Sequence, residues 1–186
     1  MTAVLSRCAL LVLLALGLPA AASANPRLLE QLRAGGRIIL LRHARTVPGT
    51  GDPPGFRLED CATQRNLSED GQAQARAIGE ALRRERVPFG RVLSSRWCRC
   101  LDTARLLELG AVEPFAPLDS FFDERGQREA QTRAVREHMA GWRGPGNLMM
   151  VTHQVNITAA SKVYPASGEA VVMEPGGAVL GRLKLG

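Results

Sequence analysis

The apolar run Ile38-Ile39-Leu40-Leu41, followed at once by Arg42-His43, constrains this chain more than any other stretch. Four consecutive branched residues read as a short strand buried on both faces, since neither face carries a polar residue to meet water. Both-face burial requires helices above and below a parallel sheet. A polar Arg-His pair at the carboxyl end of such a strand sits where open α/β sheets bind their ligands.

The rest of the chain repeats this grammar. Arg91-Val92-Leu93 and Leu148-Met149-Met150-Val151 read as two further strands, and Val112 to Phe115 as a short one. Between them lie helices. One starts at Ser68, a capping residue, with Glu69 and Asp70 in its first turn and Arg83, Arg84 and Arg86 at its end, which suits the helix dipole. A second runs from Trp97 to Leu109 with Leu101, Ala104 and Leu107 inward. A third runs from Gln127 to Trp142 and stops at Gly144-Pro145-Gly146. Ala170 to Met173 and Ala178 to Leu183 flank Pro175-Gly176-Gly177 as an antiparallel pair. The pattern predicts an α/β fold: a three-layer α/β/α sandwich with a mostly parallel sheet. Residues 44 to 66 form a long Gly- and Pro-rich connection, and a loop of that length in a compact domain is usually functional.

The first 24 residues stand apart. Arg7 precedes an apolar block from Ala9 to Leu16, and Ala22-Ser23-Ala24 is a small-x-small cleavage site. This is the pattern of a secretory signal peptide. The block is too short to span a bilayer comfortably, which disfavours an anchor. The expectation is one exported domain over residues 25–186, periplasmic or secreted, with no stable membrane span after cleavage. The formal net charge is +6, and Arg7 accounts for one unit of it. Lysine occurs only at Lys162 and Lys184, so arginine carries the positive charge. That balance suits anionic partners. No basic run with interleaved aromatics occurs, which disfavours nucleic acid.

Cys8 leaves with the signal, so Cys61, Cys98 and Cys100 remain. In an oxidising compartment the arithmetic is one disulfide and one thiol. Cys98 and Cys100 point apart on a helix, so Cys61 pairs with one of them; otherwise all three are small buried hydrophobes. A zinc or redox role lacks the second ligand pair it needs.

Three strands end in chemistry-bearing residues: Arg42 and His43, then Ser94 to Arg99, then Thr152 and His153. In a parallel sheet these ends share one edge, so the side chains can converge. Two histidines and two arginines there point to phosphoryl transfer.

Four segments in this order resemble the histidine phosphatase superfamily, the group with the cofactor-dependent phosphoglycerate mutases and the histidine acid phosphatases. Arg42-His43-Ala44 is similar to its Arg-His-Gly/Ala signature. Asn66-Leu67-Ser68-Glu69-Asp70-Gly71-Gln72-Ala73-Gln74-Ala75 is similar to its Asn-Leu-Thr-x-x-Gly-x-x-Gln-Ala segment. Ser94-Ser95, Arg99 and Thr103-Ala104 match its next motif, and Val151-Thr152-His153 its last. The resemblance implies a phosphoglycerate mutase-like fold and a phosphatase that needs no metal or other cofactor. It implies that His43 attacks phosphorus, that Arg42, Arg99 and His153 hold the phosphoryl oxygens, and that Thr46 adds a hydroxyl contact. The expected partner is a phosphorylated small molecule or envelope component.

Gln154 departs from the family pattern, in which Gly or an acid follows the second histidine. The proton donor then falls to Asp123 or Glu124, unless that pair is only the first turn of a helix. A donor-free site would instead suit phosphoamidates or other good leaving groups. The alternative to an enzyme is a weakly catalytic module that docks phosphorylated lipid or protein. Arg65 and Asn66 either line the pocket or, for Asn66, set the turn, and the structural reading is favoured; Glu169 reads as structural and His138 as surface.

Overall fold

A computed structural model describes residues 25–185; the expected signal segment, 1–24, lies outside the described residues. Helix α1, Pro26–Arg33, opens the described chain. The Asn25 side chain accepts from the Arg27 amide, and Pro26 sits at the first turn, where a missing N–H costs nothing. The sequence reading does not anticipate this helix. Then come β1 (Ile38–Arg42), α2 (Glu69–Arg84), β2 (Phe89–Ser94), α3 (Cys98–Leu106), β3 (Val112–Pro114), α4 (Arg128–Ala140), β4 (Asn147–Thr152), α5 (Gln154–Ser161), β5 (Glu169–Met173) and β6 (Val179–Lys184).

The six strands form one sheet in the order β3-β2-β4-β1-β5-β6. β1, β2, β3 and β4 run parallel, while β5 and β6 are antiparallel, as the sequence predicts. Successive strand residues face opposite sides, and this splits the apolar run of β1 between two cores. Ile39 and Leu41 pack with Leu28 and Leu32 of α1, Ile78 and Leu82 of α2, and Cys100 and Ala104 of α3. Ile38 and Leu40 pack with Val135 and Met139 of α4 and Ile157 and Ala160 of α5. Each buried Leu, Ile or Met contributes about 1.5–3 kcal/mol, so the central strands anchor the fold.

The observed helices are shorter than the sequence reading. α4 stops at Ala140, and Trp142 packs against the core from the turn beyond it. Helix α5 is likewise unanticipated. Only eight residues long, it buries Asn156, Ile157, Ala159, Ala160 and Ser161 and shows no apolar stripe to mark it.

Register aligns the strand ends. Arg42 of β1 pairs with Thr152 of β4, and Ser94 of β2 with Val151. The ladder continues one step further: the His43 amide donates to Thr152 O at 3.0 Å, and the Ser95 amide to Val151 O at 2.9 Å. His43, Ser95 and His153 are therefore fixed by main-chain bonds at one sheet edge.

Candidate active site

That edge carries a polar cavity of about 290 Å³, lined by Arg42, His43, Arg65, Arg99, His153 and Asp52 among others. His43 is buried, and its Nδ1 lies 2.8 Å from Ala44 O. A carbonyl only accepts, so Nδ1 carries the hydrogen and Nε2 the lone pair. Burial disfavours the imidazolium, and the nearby Arg99, Arg42 and Arg65 add to that; the Ala44 bond opposes them, and the balance sets the pKa at about 3. His43 is thus neutral at physiological pH, with Nδ1 held and the Nε2 lone pair free, the state a nucleophilic imidazole needs.

His153 packs edge-on to His43 with ring centroids 5.5 Å apart. Its Nε2 meets Ser95 Oγ at 2.9 Å, and Ser95 Oγ also lies 3.2 Å from Asp119 Oδ1. Burial first, then Arg99, lowers its pKa well below the ordinary histidine value. Cys100 sits behind it, Sγ 3.4 Å from Nε2, and burial pushes that thiol up to about 12. A thiol so held is neither nucleophile nor redox partner.

The guanidinium groups show how the cavity is tuned. Arg42 donates from Nη1 to Pro165 O at 3.0 Å, and Arg99 from Nη1 to Asp52 Oδ1 at 2.7 Å. In both, Nε is buried with no protein partner. Both guanidinium groups also line the cavity, so each presents a fixed positive charge to an anion bound there.

Several other motif residues act as brackets. Thr103 Oγ1 accepts from the Ala44 amide at 3.0 Å and donates to Arg99 O at 2.7 Å, tying α3 to the segment after β1. Gln74 accepts from the Arg45 amide and donates to Ser167 O, bridging α2 to the segment before β5. At Gly71 a Cβ would meet Arg45 O at 1.8 Å, so only glycine allows α2 that close.

The structure revises several expectations. Thr46 does not line the cavity; its Oγ1 accepts from Arg65 Nη1 at 2.6 Å, so it braces an arginine rather than a phosphate. Arg65, for which a structural role is the favoured reading, lines the cavity, while its Nε and Nη1 hold Gly51 O and Gly49 O. Asn66 is structural, donating to Cys61 O. Asp123 lines the cavity, but Glu124 faces only the adjoining groove, because the chain has begun to turn into the Arg125–Gln127 3-10 helix there. His138 is half-buried against Phe115 rather than a free surface residue. Glu169 pairs with Arg182, a structural role as expected.

Asp52 is the residue that sequence reasoning misses. It accepts from Arg99 Nη1, the Arg65 amide and Trp97 Nε1. Burial would raise its carboxyl, but these bonds and the Arg99 charge outweigh that and hold it below the ordinary range. Only its setting in a Gly/Pro-rich loop, two residues before Pro54, could hint at it. That loop is closed at its base by the Thr46–Leu67 bridge and pinned at its far end by the Cys61–Cys98 disulfide, Cα–Cα 5.7 Å. Cys100 is the remaining thiol, which leaves no room for the reading of three unpaired cysteines.

With the site built, comparison with known proteins places it. The sequence profile of the histidine phosphatase superfamily (branch 1) matches residues 38–144, more than half of the chain. The chain belongs to that superfamily, and it is a phosphatase. Among similar solved structures is the protein histidine phosphatase SixA complexed with tungstate, at TM-score 0.56 and 14% identity, covering 80% of this chain and 96% of that one. Another is TTHB049 from Thermus thermophilus, at TM-score 0.58 and 20% identity, covering 80% and 99%. A third is the mycobacterial glucosyl-3-phosphoglycerate phosphatase Rv2419c with inorganic phosphate, at TM-score 0.52 and 20% identity, covering 73% and 88%. These likenesses establish the phosphoglycerate mutase-like α/β fold. No curated protein matches the sequence.

Proposed function

We propose that this chain is an exported, metal-independent phosphatase that hydrolyses phosphomonoesters, or phosphoamidates, through a phosphohistidine on His43. The observation that carries the reading is the convergence of Arg42, Arg65 and Arg99 on one cavity around a neutral His43 whose Nδ1 is held by Ala44 O. The His43 Nε2 lone pair attacks phosphorus in line, and the P–O bond to the leaving group breaks as the P–N bond forms. Arg42, Arg99 and Arg65 take up the charge on the equatorial oxygens, where fork-shaped donors fit best. His153 completes the cup. Asp123, at the cavity rim, gives its proton to the departing oxygen. It then takes one from the water that attacks the phosphohistidine, which frees phosphate and restores neutral His43.

Export rests on the pattern of residues 1–24 together with the Cys61–Cys98 disulfide, a bond at home in oxidising compartments. No helix among the described residues is long and apolar enough to cross a membrane. The structurally similar phosphatases are named for a protein histidine phosphate and for a sugar phosphate, so neither leaving group is singled out.

A second reading has its own observation. Gln154 lines the cavity directly after His153 and cannot donate a proton as an acid would, which fits a module that docks phosphorylated lipid or protein without turnover. Hydrolysis of p-nitrophenyl phosphate across acidic to neutral pH, beside a His43→Ala variant, separates the two. The phosphatase reading expects turnover that falls by roughly a thousand-fold or more in the variant, the scale of losing a catalytic nucleophile, while its circular dichroism is unchanged. Equal turnover in both proteins would refute the mechanism, and vanadate binding without any turnover would favour the docking module.

A further inference from the structure

Beside the phosphate cup lies a second, larger cleft of about 690 Å³. The two share Ser120 and Asp123 in their linings, so they meet at the residue placed to protonate the leaving group. Their chemistry differs. The cup is walled by guanidinium groups and imidazoles, whereas the cleft is faced by Phe56, Leu58, Trp97, Pro117, Ala130 and Ala134. Its main cation, Arg96, is occupied: Asp119, a buried carboxylate, takes its Nε at 2.7 Å and its main-chain N–H at 2.8 Å. The cleft therefore presents apolar faces and rings beside the carboxylates of Asp123 and Glu124 and the amides of Gln127 and Gln131, with no unpaired positive charge among its lining residues.

Its walls are fixed. Phe56 rests on Trp97 with ring centroids 5.8 Å apart and planes tilted by 44°. Trp97 is anchored through Nε1 to Asp52 at 3.0 Å and lies edge-on to His153 at 5.5 Å. The tryptophan thus joins the phosphate cup to the cleft, and the disulfide at the neighbouring Cys98 keeps the Phe56 loop against it.

We propose that this cleft is the leaving-group subsite and that it takes a ring-bearing, largely apolar group, so that the substrate is the phosphate ester of a bulky cyclic or aromatic alcohol. The inference rests on the phosphatase reading above and extends it. Two features set the class. A cleft of this volume accommodates a group well beyond a three-carbon chain; its apolar and aromatic faces suit a ring system, and Ser120, Gln127 and Gln131 in the same lining can meet a few polar substituents. A small, polyhydroxylated leaving group would leave the faces of Phe56, Leu58 and Trp97 wet.

The competing direction is the strip of Arg125, Arg128 and Arg133 beyond Phe122, which would draw a second anionic group of the substrate. Direct binding distinguishes the two without requiring turnover. Calorimetric titration of the purified full chain with phenylphosphonate, 2-naphthylphosphonate and phosphonoacetate reads the cleft through probes that share one anionic head. The second ring is expected to tighten binding roughly ten-fold or more, the scale of added apolar contact in a fitted pocket. Phe56→Ala, which removes one wall, and Ala130→Trp, which fills the cleft from an exposed helix position, should each bring the naphthyl-to-phenyl ratio close to one. Retained inhibition by vanadate in both variants would show that the cup itself is intact. Equal affinity of the two aryl phosphonates, an unchanged ratio in both variants, or tighter binding of phosphonoacetate than of the naphthyl probe would each overturn the proposal. Loss of p-nitrophenyl phosphate turnover alone would instead count against the phosphatase reading, with the ratio still deciding the subsite.

Discussion

The cavity has two walls built on different principles. One is made of Arg42, His43 and His153 at the ends of β1 and β4, and main-chain ladder bonds fix it. The other is made of Gly49 to Asp52 and Arg65 from the long loop, and side chains fix it: the Asp52–Arg99 pair, the Arg65 bonds to Gly49 O and Gly51 O, and the Cys61–Cys98 disulfide. The strand wall inherits the stability of the central sheet, so its geometry cannot change without unfolding the core. The loop wall owes its place to a few discrete links. The histidine pair sits on the rigid side, and Asp52 and Arg65 sit on the adjustable one.

Breaking the disulfide should separate the two walls most clearly. The bond closes 37 residues of chain, and the chain-entropy estimate for such a loop is about 4 kcal/mol. Urea unfolding of a Cys61→Ser, Cys98→Ser double variant should show a loss of roughly that size, and KM should rise by a larger factor than kcat falls. If kcat collapsed while KM held, the strand wall would depend on the loop and the distinction would fail.

Asp52→Ala should cost less, about 2–3 kcal/mol, because it leaves the buried Arg99 without its carboxylate. Both side chains of this pair are only 4% exposed, so water compensates little. Inorganic phosphate should then raise the thermal midpoint of the variant more than that of the parent, since it supplies the missing negative charge. An equal rise in both would mean that the phosphate does not reach Arg99.

The strand wall has its own signature in pH. His43 is held neutral down to about pH 3, while the unfolded chain's imidazole takes up a proton near 6.5. Between those values the unfolded state binds more protons, so stability falls as pH falls, by at most about 1.4 kcal/mol per pH unit for one group. His153, lowered in the same direction, adds to the slope. A His43→Gln variant should flatten the dependence of the unfolding free energy on pH across this window. An unchanged slope would show that His43 is not the group responsible.

Legibility follows the same division. His43, Arg42 and His153 are readable because apolar runs announce buried strands, and parallel strands put their carboxyl ends on one edge. Arg99 and Thr103 are readable as a motif, though only the structure shows Thr103 as the bracket between α3 and Ala44. Asp52 is not readable as a site residue, and Arg65 only as an alternative to a structural role. A loop has no periodicity, so nothing local says which of its side chains turn inward. α5 escapes notice for a related reason: enclosed on most sides, it has no polar face to reveal a helical period. Thr46 misleads because a hydroxyl three residues past the nucleophile looks like a phosphate contact until Arg65 is seen to occupy it.

The sequence by itself determined the sandwich, the sheet edge that carries the cavity, and the two histidines placed at it, because hydrophobic period and strand direction are local properties that survive without knowledge of contacts. The tertiary structure alone decided which carboxylate faces the arginines, which cysteine pairs with Cys61, and that an aromatic cleft opens beside Asp123. Those depend on where a Gly- and Pro-rich loop comes to rest, and that is set by ion pairs and a cross-link between residues far apart in the chain.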